Sequence, residues 1–257
     1  MLSDFQPINF NISPDIKQAE IYFAHDIHKG SDIHDSKKWE KFKREILSAP
    51  NRFVVFVGDY FEAAIVGSKS DVYTQNCSPY EQKEWFTEQL LELKDRTIAI
   101  VPGNHDNRIT KTVGLYPVYD CAVVAGLQDR YRQHWTFVSI GVGLGHGKNR
   151  QTKFVGYLAH RLRDNKLYNG SDFTDGIDFA AYGHDHDPKD HPRSKLVYDN
   201  KKNCVVQKDI EVLNSGAFMT YGGYGADSGY RPQSSKLYKL ILISGNQKKL
   251  ETIGFHL

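Results

Sequence analysis

Ile98-Ala99-Ile100-Val101-Pro102-Gly103-Asn104-His105-Asp106 changes character at residue 102, where four apolar residues give way to a proline, a glycine and three side chains able to bind a metal or move a proton. A short apolar run bounded by Pro-Gly reads as a strand buried on both faces that ends in a turn. The same change occurs four more times. Ile21-Tyr22-Phe23-Ala24 precedes Asp26-Ile27-His28, and Phe53-Val54-Val55-Phe56-Val57 precedes Gly58-Asp59. Phe137 to Val142 precedes His146-Gly147, and Phe179-Ala180-Ala181-Tyr182 precedes Gly183-His184-Asp185-His186. Side chains at the carboxyl ends of neighbouring strands converge on one crevice, where open α/β sheets bind ligands. The five clusters must therefore meet, and residues 1–257 are expected to form one domain.

Around these runs the segments alternate between strand-like and helix-like, the pattern of βα units. Trp39, Phe42 and Ile46 repeat at helical spacing within residues 36–48. Ser78-Pro79-Tyr80-Glu81 offers a capping box with proline at the first helical position, followed by Phe86, Leu90 and Leu93 on one face. Val155, Leu158 and Leu162 give the same spacing and predict a third amphipathic helix over 152–165. Cys204 to Leu213, Lys236 to Ile243 and Leu250 to Gly254 read as strands that pair antiparallel. Residues 60–77, 107–135 and 216–235 read as loops beside the strand ends, where substrate choice would be written.

Composition narrows the function classes. With 33 basic and 31 acidic residues the formal charge is +2, so no global field demands a nucleic acid or an anionic membrane. Cys77, Cys121 and Cys204 are widely spaced and odd in number, which argues against a disulfide framework and a thiolate zinc site. Met1 to Phe10 lacks the basic and apolar regions of a signal peptide. No apolar run approaches the roughly 20 residues that span a bilayer. A soluble, cytoplasmic protein with no membrane partner is expected.

The polar clusters suit a pair of metal ions. Two divalent cations about 3.5 to 4 Å apart can hold a phosphoryl group, activate a bridging water and stabilise a leaving oxygen. Asp59, on a turn whose glycine lets the backbone approach closely, is the natural bridging carboxylate. Asp26, His28 and His186 could complete one metal site, and Asn104, His146 and His184 the other. Mixed oxygen and imidazole ligands suit manganese, with iron, zinc or nickel as alternatives. His105 need not be a ligand; held by Asp106 or another carboxylate, it could protonate a leaving alkoxide, making His105 and Asp106 the catalytic candidates.

The ordered set DxH, GD, GNHD, HG, GHxH resembles the calcineurin-like metallophosphoesterase superfamily over about residues 20 to 186. The resemblance implies two packed mixed β-sheets flanked by helices, a four-layer α/β/β/α sandwich. It implies the ligands named above, with hydrolysis by a metal-bridging hydroxide and no covalent intermediate. It also casts His105 as a proton donor or phosphate contact. Two positions depart from the common pattern: Lys29 stands where leucine or glycine is frequent, and Glu62 where aspartate is frequent. Neither removes a ligand.

A lone Gly-Asp or His-Gly would be an ordinary turn, since both residue types favour turns for conformational reasons; five such clusters in order reverse that reading. Other residues keep their plain explanation beside the functional one. Arg108 could clamp a phosphate, together with Asn104 and His105, or form a surface ion pair. His25, His34 and Asp35 could extend the site, although surface solvation accounts for them. Lys148, Arg150, Lys153, Arg161 and Arg163 could track a polyanion, or be a solvated face. Tyr221, Tyr224 and Tyr230 could stack on bases or simply order a loop.

The expected function is a phosphodiesterase acting on a nucleotide or nucleic acid. A phosphomonoesterase shares every residue named, and a non-catalytic scaffold would require the loss of a ligand that the sequence retains.

Overall fold

The computed structural model of the chain describes residues 2–68, 70–144, 150–161, 175–200, 203–227, 229, 231–245 and 248–257. Its strands gather into two mixed sheets. The smaller has the order β12 (Lys249–Phe255), β11 (Leu237–Ile243), β2 (Gln18–Ala24), β3 (Arg52–Val57), β4 (Thr97–Val101). β2, β3 and β4 run parallel, and β11 is antiparallel to both its neighbours. The larger has the order β1 (Ile8–Asn11), β5 (Trp135–Val142), β6 (Thr152–Ala159), β7 (Phe179–Tyr182), β10 (Cys204–Asn214), β8 (Lys189–Asp190). β9 (Arg193–Asp199) pairs antiparallel with β10.

Strand periodicity assigns the faces. In β3, Val54 and Phe56 point to one side and Phe53, Val55 and Val57 to the other. The second set meets Val138, Ile140, Phe154, Leu158 and Phe179 of the larger sheet, so the main core lies between the sheets. The first set packs against the helices α1 (Ser36–Leu47), α2 (Pro79–Glu92) and α4 (Pro117–Val124), which bring Trp39, Phe42, Ile46, Phe86, Leu90 and Val118. Each such side chain, fully buried, stabilises the fold by about 1.5 to 3 kcal/mol. On the outer face of the larger sheet, Ala159, Ile177, Tyr182, Ile210 and Val212 cluster without any residue from a described helix. The helices seen packed on a sheet thus cover the smaller one, and the fourth layer of the expected sandwich is not among the described residues.

Local chemistry explains where the helices begin. Asp35 caps α1 by accepting from the Lys38 backbone N–H at 2.9 Å. At α2 the box predicted from Ser78 and Glu81 is formed: Ser78 Oγ accepts from Glu81 N at 3.3 Å, and Glu81 Oε2 from Ser78 N at 2.7 Å. Such a cap contributes about 1 kcal/mol.

Three sequence expectations need correction. The helix predicted over 152–165 is strand β6 as far as Ala159, with Leu162 outside the described residues. Val155 and Leu158 match helical spacing, but Phe154 and Leu158 face the inner core while Val155, Tyr157 and Ala159 face outward. A strand with apolar residues on both faces, here fully buried inside and half-buried outside, loses its alternation of polar and apolar residues, and with it the signal that marks a strand. The three C-terminal strands do not form one antiparallel unit: β11 and β12 pair with each other, whereas β10 joins the larger sheet, parallel to β7. Residues 107–135, read as loop, contain α3 (Asn107–Val113) and α4, and 216–235 holds one short helix, Gly223–Asp227.

Candidate metal centre

The turns after β2, β3, β4, β6 and β7 meet at one edge of the two sheets. Their backbone is strained. Seven non-glycine residues among those described have positive φ, and five of them are Asp26, His28, Asp59, His184 and His186, at 49° to 76°. Left-handed backbone in such residues costs on the order of 1–3 kcal/mol each and persists where the surroundings impose it, often at functional sites. His184 and His186 do not lie on an extended backbone, so Asp185 between them is not simply the outward-facing residue of a strand.

Glycines allow the turns to interlock. A Cβ on Gly103 would lie 2.1 Å from Asp59 Oδ1 and 2.3 Å from its backbone N, and one on Gly58 would lie 2.6 Å from the His160 ring. Asp106 supplies the clamp. Its two carboxylate oxygens accept from the backbone N–H groups of Asp59 (2.8 Å), Tyr60 (2.9 Å), Phe61 (3.1 Å) and Gly103 (2.7 Å), tying the second cluster to the third. Burial and the nearby Asp59 carboxylate push Asp106 up to about 7, against the pull of those donors. Asp106 was expected to orient His105. Its oxygens are instead committed to the backbone, which makes it a brace for the turns.

The candidate ligand atoms converge. Asp26 Oδ1 lies 3.4 Å from His186 Nε2 and 3.9 Å from both His28 Nε2 and His160 Nε2. Asp59 Oδ2 lies 2.9 Å from His160 Nε2 and 3.9 Å from His28 Nε2. Asp26, His28 and His186 form one group able to hold a metal ion, and Asp59, His160 and His184 form another. His28, Asp59 and His105 make a third combination that overlaps both. Asp59 Oδ2 thus faces imidazoles of both principal groups, while its Oδ1 is held by His105 N at 2.7 Å.

Each fixed imidazole has its far nitrogen occupied. His28 Nδ1 bonds Glu62 Oε2 at 2.9 Å, and His160 Nδ1 donates to Val57 O at 2.7 Å, so both rings turn Nε2 inward. Three buried atoms there have no hydrogen-bond partner, Asp26 Oδ1, His28 Nε2 and Asn104 Oδ1, while His160 Nε2 meets the Asp59 carboxylate at 2.9 Å. An unsatisfied buried polar group costs about 1–3 kcal/mol, so three in one place call for something the chain does not supply. A carboxylate, amide and imidazole set fits divalent transition cations.

Electrostatics agrees. Burial opposes charge on His160, but Asp59 and Asp26 outweigh it and push its pKa up to about 10. Burial likewise opposes charge on His28, and Glu62, Asp59 and Asp26 raise it nonetheless. For Asp26 and Asp59 burial favours the neutral acid, yet the facing histidines hold both carboxyls below their ordinary range. The cluster concentrates negative charge that a proton or a cation must balance.

His105 sits at the rim. Arg108 Nη2 donates to its Nε2 at 2.9 Å, so its other nitrogen, Nδ1, donates to Glu62 O at 3.1 Å. Arg108 is anchored in turn on Glu62 O at 2.8 Å and Ser70 Oγ at 3.0 Å, a built position and no casual surface pair. Burial, with cationic His28 and Arg108 nearby, lowers His105 to about 4.

Sequence reasoning missed two residues. His160 occupies the place foreseen for His146, which lies outside the described residues, as do Gly147, Lys148, Arg163 and Tyr230 and the side chain of Tyr224. The available signal was the apolar run Phe154 to Ala159, because every other cluster also follows such a strand. His25, read as solvated surface, is fully buried against Asp26. Of its companions, Asp35 caps α1 and His34 Nδ1 bonds Ile27 O at 2.8 Å. Lys29 lays its ammonium over the Trp85 ring, 5.4 Å from the centroid, and Glu62 carries the bond to His28.

Among the described residues no helix is long and apolar enough to cross a membrane. No curated protein sequence matches the chain. Among solved structures, Vps29 of Chaetomium thermophilum is similar with 12% identity and a TM-score of 0.33, over 92% of this chain and 97% of that one. The family model for calcineurin-like phosphoesterases matches residues 26–188, from the first ligand cluster to just past the last, and the chain belongs to that family.

Proposed function

We propose that the chain is a dinuclear metal-dependent phosphoesterase whose substrate is a phosphodiester of a nucleotide or nucleic acid. The observation that carries this reading is Asp59 Oδ2, which faces His160 of one group and His28 of the other. Asp26, His28, His186 and Asp59 would hold one cation, and Asp59, Asn104, His160 and His184 the second, with manganese the first choice. Bound there, the cations supply Lewis acidity and make a water nucleophilic near neutral pH.

The protein's own groups do the rest. Arg108 offers a guanidinium at the rim, already aimed by Glu62 O and Ser70, to receive phosphoryl oxygens bidentately. While Arg108 rests on His105 Nε2, that imidazole is neutral and cannot donate from Nε2. When a phosphate draws the guanidinium away, His105 loses a cationic neighbour and gains an anionic one, and both changes raise its proton affinity. It can then carry a proton on Nε2 while Nδ1 stays on Glu62 O. A protonated His105 beside the leaving oxygen matters most for a poor alkoxide leaving group, which is why the diester is favoured.

The test is hydrolysis by manganese-loaded protein of an aryl phosphate diester beside the corresponding monoester, with Asp59→Asn as the blank. Faster diester turnover supports the proposal. Faster monoester turnover replaces the substrate class, and activity on neither removes the catalytic reading.

A further inference from the structure

We propose that His25 is a positioning residue that makes Asp26 a one-oxygen ligand, an inference that rests on the two-cation reading above. His25 is fully buried at the end of β2, beside the first predicted ligand. Its Nε2 lies 3.0 Å from the backbone N–H of Ser215, just beyond β10. A backbone N–H can only donate, so Nε2 carries the lone pair and Nδ1 carries the proton. That proton points at Asp26 Oδ2, 2.7 Å away. The larger sheet thereby sets the tautomer of a histidine on the smaller one.

The consequence falls on Asp26. Its Oδ2 accepts from His25 Nδ1 and also from the His184 backbone N–H at 2.8 Å. Two donors fill the in-plane lone pairs of Oδ2. Its Oδ1 has no hydrogen-bond partner and is the oxygen that faces His186, His28 and His160. The carboxylate thus presents a single oxygen to the cluster. Gly183 closes the space behind: a Cβ there would sit 3.0 Å from Asp26 Oδ2 and 3.0 Å from the His25 ring. Without the His25 donor, only His184 N would hold Oδ2, and the carboxylate could rotate toward two-oxygen coordination.

The choice of variant matters. Alanine would leave a polar void in which a water could bridge Ser215 N and Asp26 Oδ2, mimicking the imidazole. Phenylalanine fills the volume and removes both hydrogen bonds. Asparagine places an amide N–H near the position of Nδ1 and keeps the donor to Asp26. Manganese titration of the metal-free proteins, followed by calorimetry and by the electron paramagnetic resonance of bound manganese, reads affinity site by site. In His25→Phe one of two sites is expected to weaken by about 10- to 100-fold, the usual cost of losing a group that orients a ligand. His25→Asn is expected to recover most of that loss. Wild-type affinity at both sites in His25→Phe would overturn the assignment, as would equal loss in the Asn and Phe variants. A wild-type protein that binds no manganese would remove the two-cation reading and this inference together. Should His25→Phe fail to fold, nitrogen-15 NMR of the wild-type imidazole decides: a proton on Nδ1 is expected, and one on Nε2 overturns the inference.

Discussion

The two sheets contribute differently to the same site. The smaller sheet supplies Asp26, His28, Asp59 and Asn104 on turns braced by Asp106, His25 and the Gly58–Gly103 contact, with Asp26 and Asp59 almost wholly buried. The larger sheet supplies the imidazoles His160, His184 and His186; His160 is buried, but the His186 side chain is 35% exposed. The buried carboxylates sit where the backbone is most tightly tied, and three of the four imidazoles that answer them, all but His28, come from the opposite sheet. The site therefore exists only when the sheets are docked, and variants on the two sides should fail in different ways.

The largest effect is expected at the shared carboxylate. Asp59→Asn should lower phosphoesterase turnover by about 10³-fold or more, the scale of several kcal/mol of lost charge stabilisation, measured with manganese-loaded protein. Retained activity would break the claim that both groups depend on the smaller sheet. Asp106→Asn turns an acceptor into a donor facing backbone N–H groups. It should cost about 3 kcal/mol, lowering the Tm by about 6–12 °C in a thermal melt. An unchanged melt would show that the brace does not hold the turns.

His105→Ala should keep both metals and slow hydrolysis of an alkyl-leaving diester by about 100-fold, with less effect on an aryl leaving group. Equal losses on both substrates would make His105 a phosphate contact alone. A pH slope is also expected. His160 has its folded pKa raised from 6.5 to about 10, so its contribution to the stability of the metal-free protein is full below pH 6.5 and lost as pH rises toward 10. Thermal melts of metal-free protein should decline across that window, and His160→Ala should flatten the decline. A slope of the same size in the variant would assign it to another group.

The smaller sheet was also the more legible. β2, β3 and β4 carry apolar runs, the last two closed by glycine, and their candidate ligands stand in the turn itself, so strand and chemistry are read together. α1 and α2 carry apolar faces and capping residues that act locally. In the larger sheet the information is spread over distance. β6 is apolar on two faces and mimics a helix, which hid the strand that would have pointed to His160 at its end. β1 is only four residues, INFN, and becomes a strand because β5 lies beside it. The role of His25 depends on Ser215, 190 residues away, and that of Asp106 on three N–H groups that lie more than 40 residues earlier. Local pattern cannot encode a partner that only tertiary structure supplies.

The most direct test of the account is the metal content of His160→Ala beside the wild type, after saturation with manganese and removal of free ion. Two ions in the wild type, with one in His160→Ala, is the result predicted for a centre shared between the sheets through Asp59 and completed by His160. Two tightly held ions in His160→Ala, or one or none in the wild type, would contradict it.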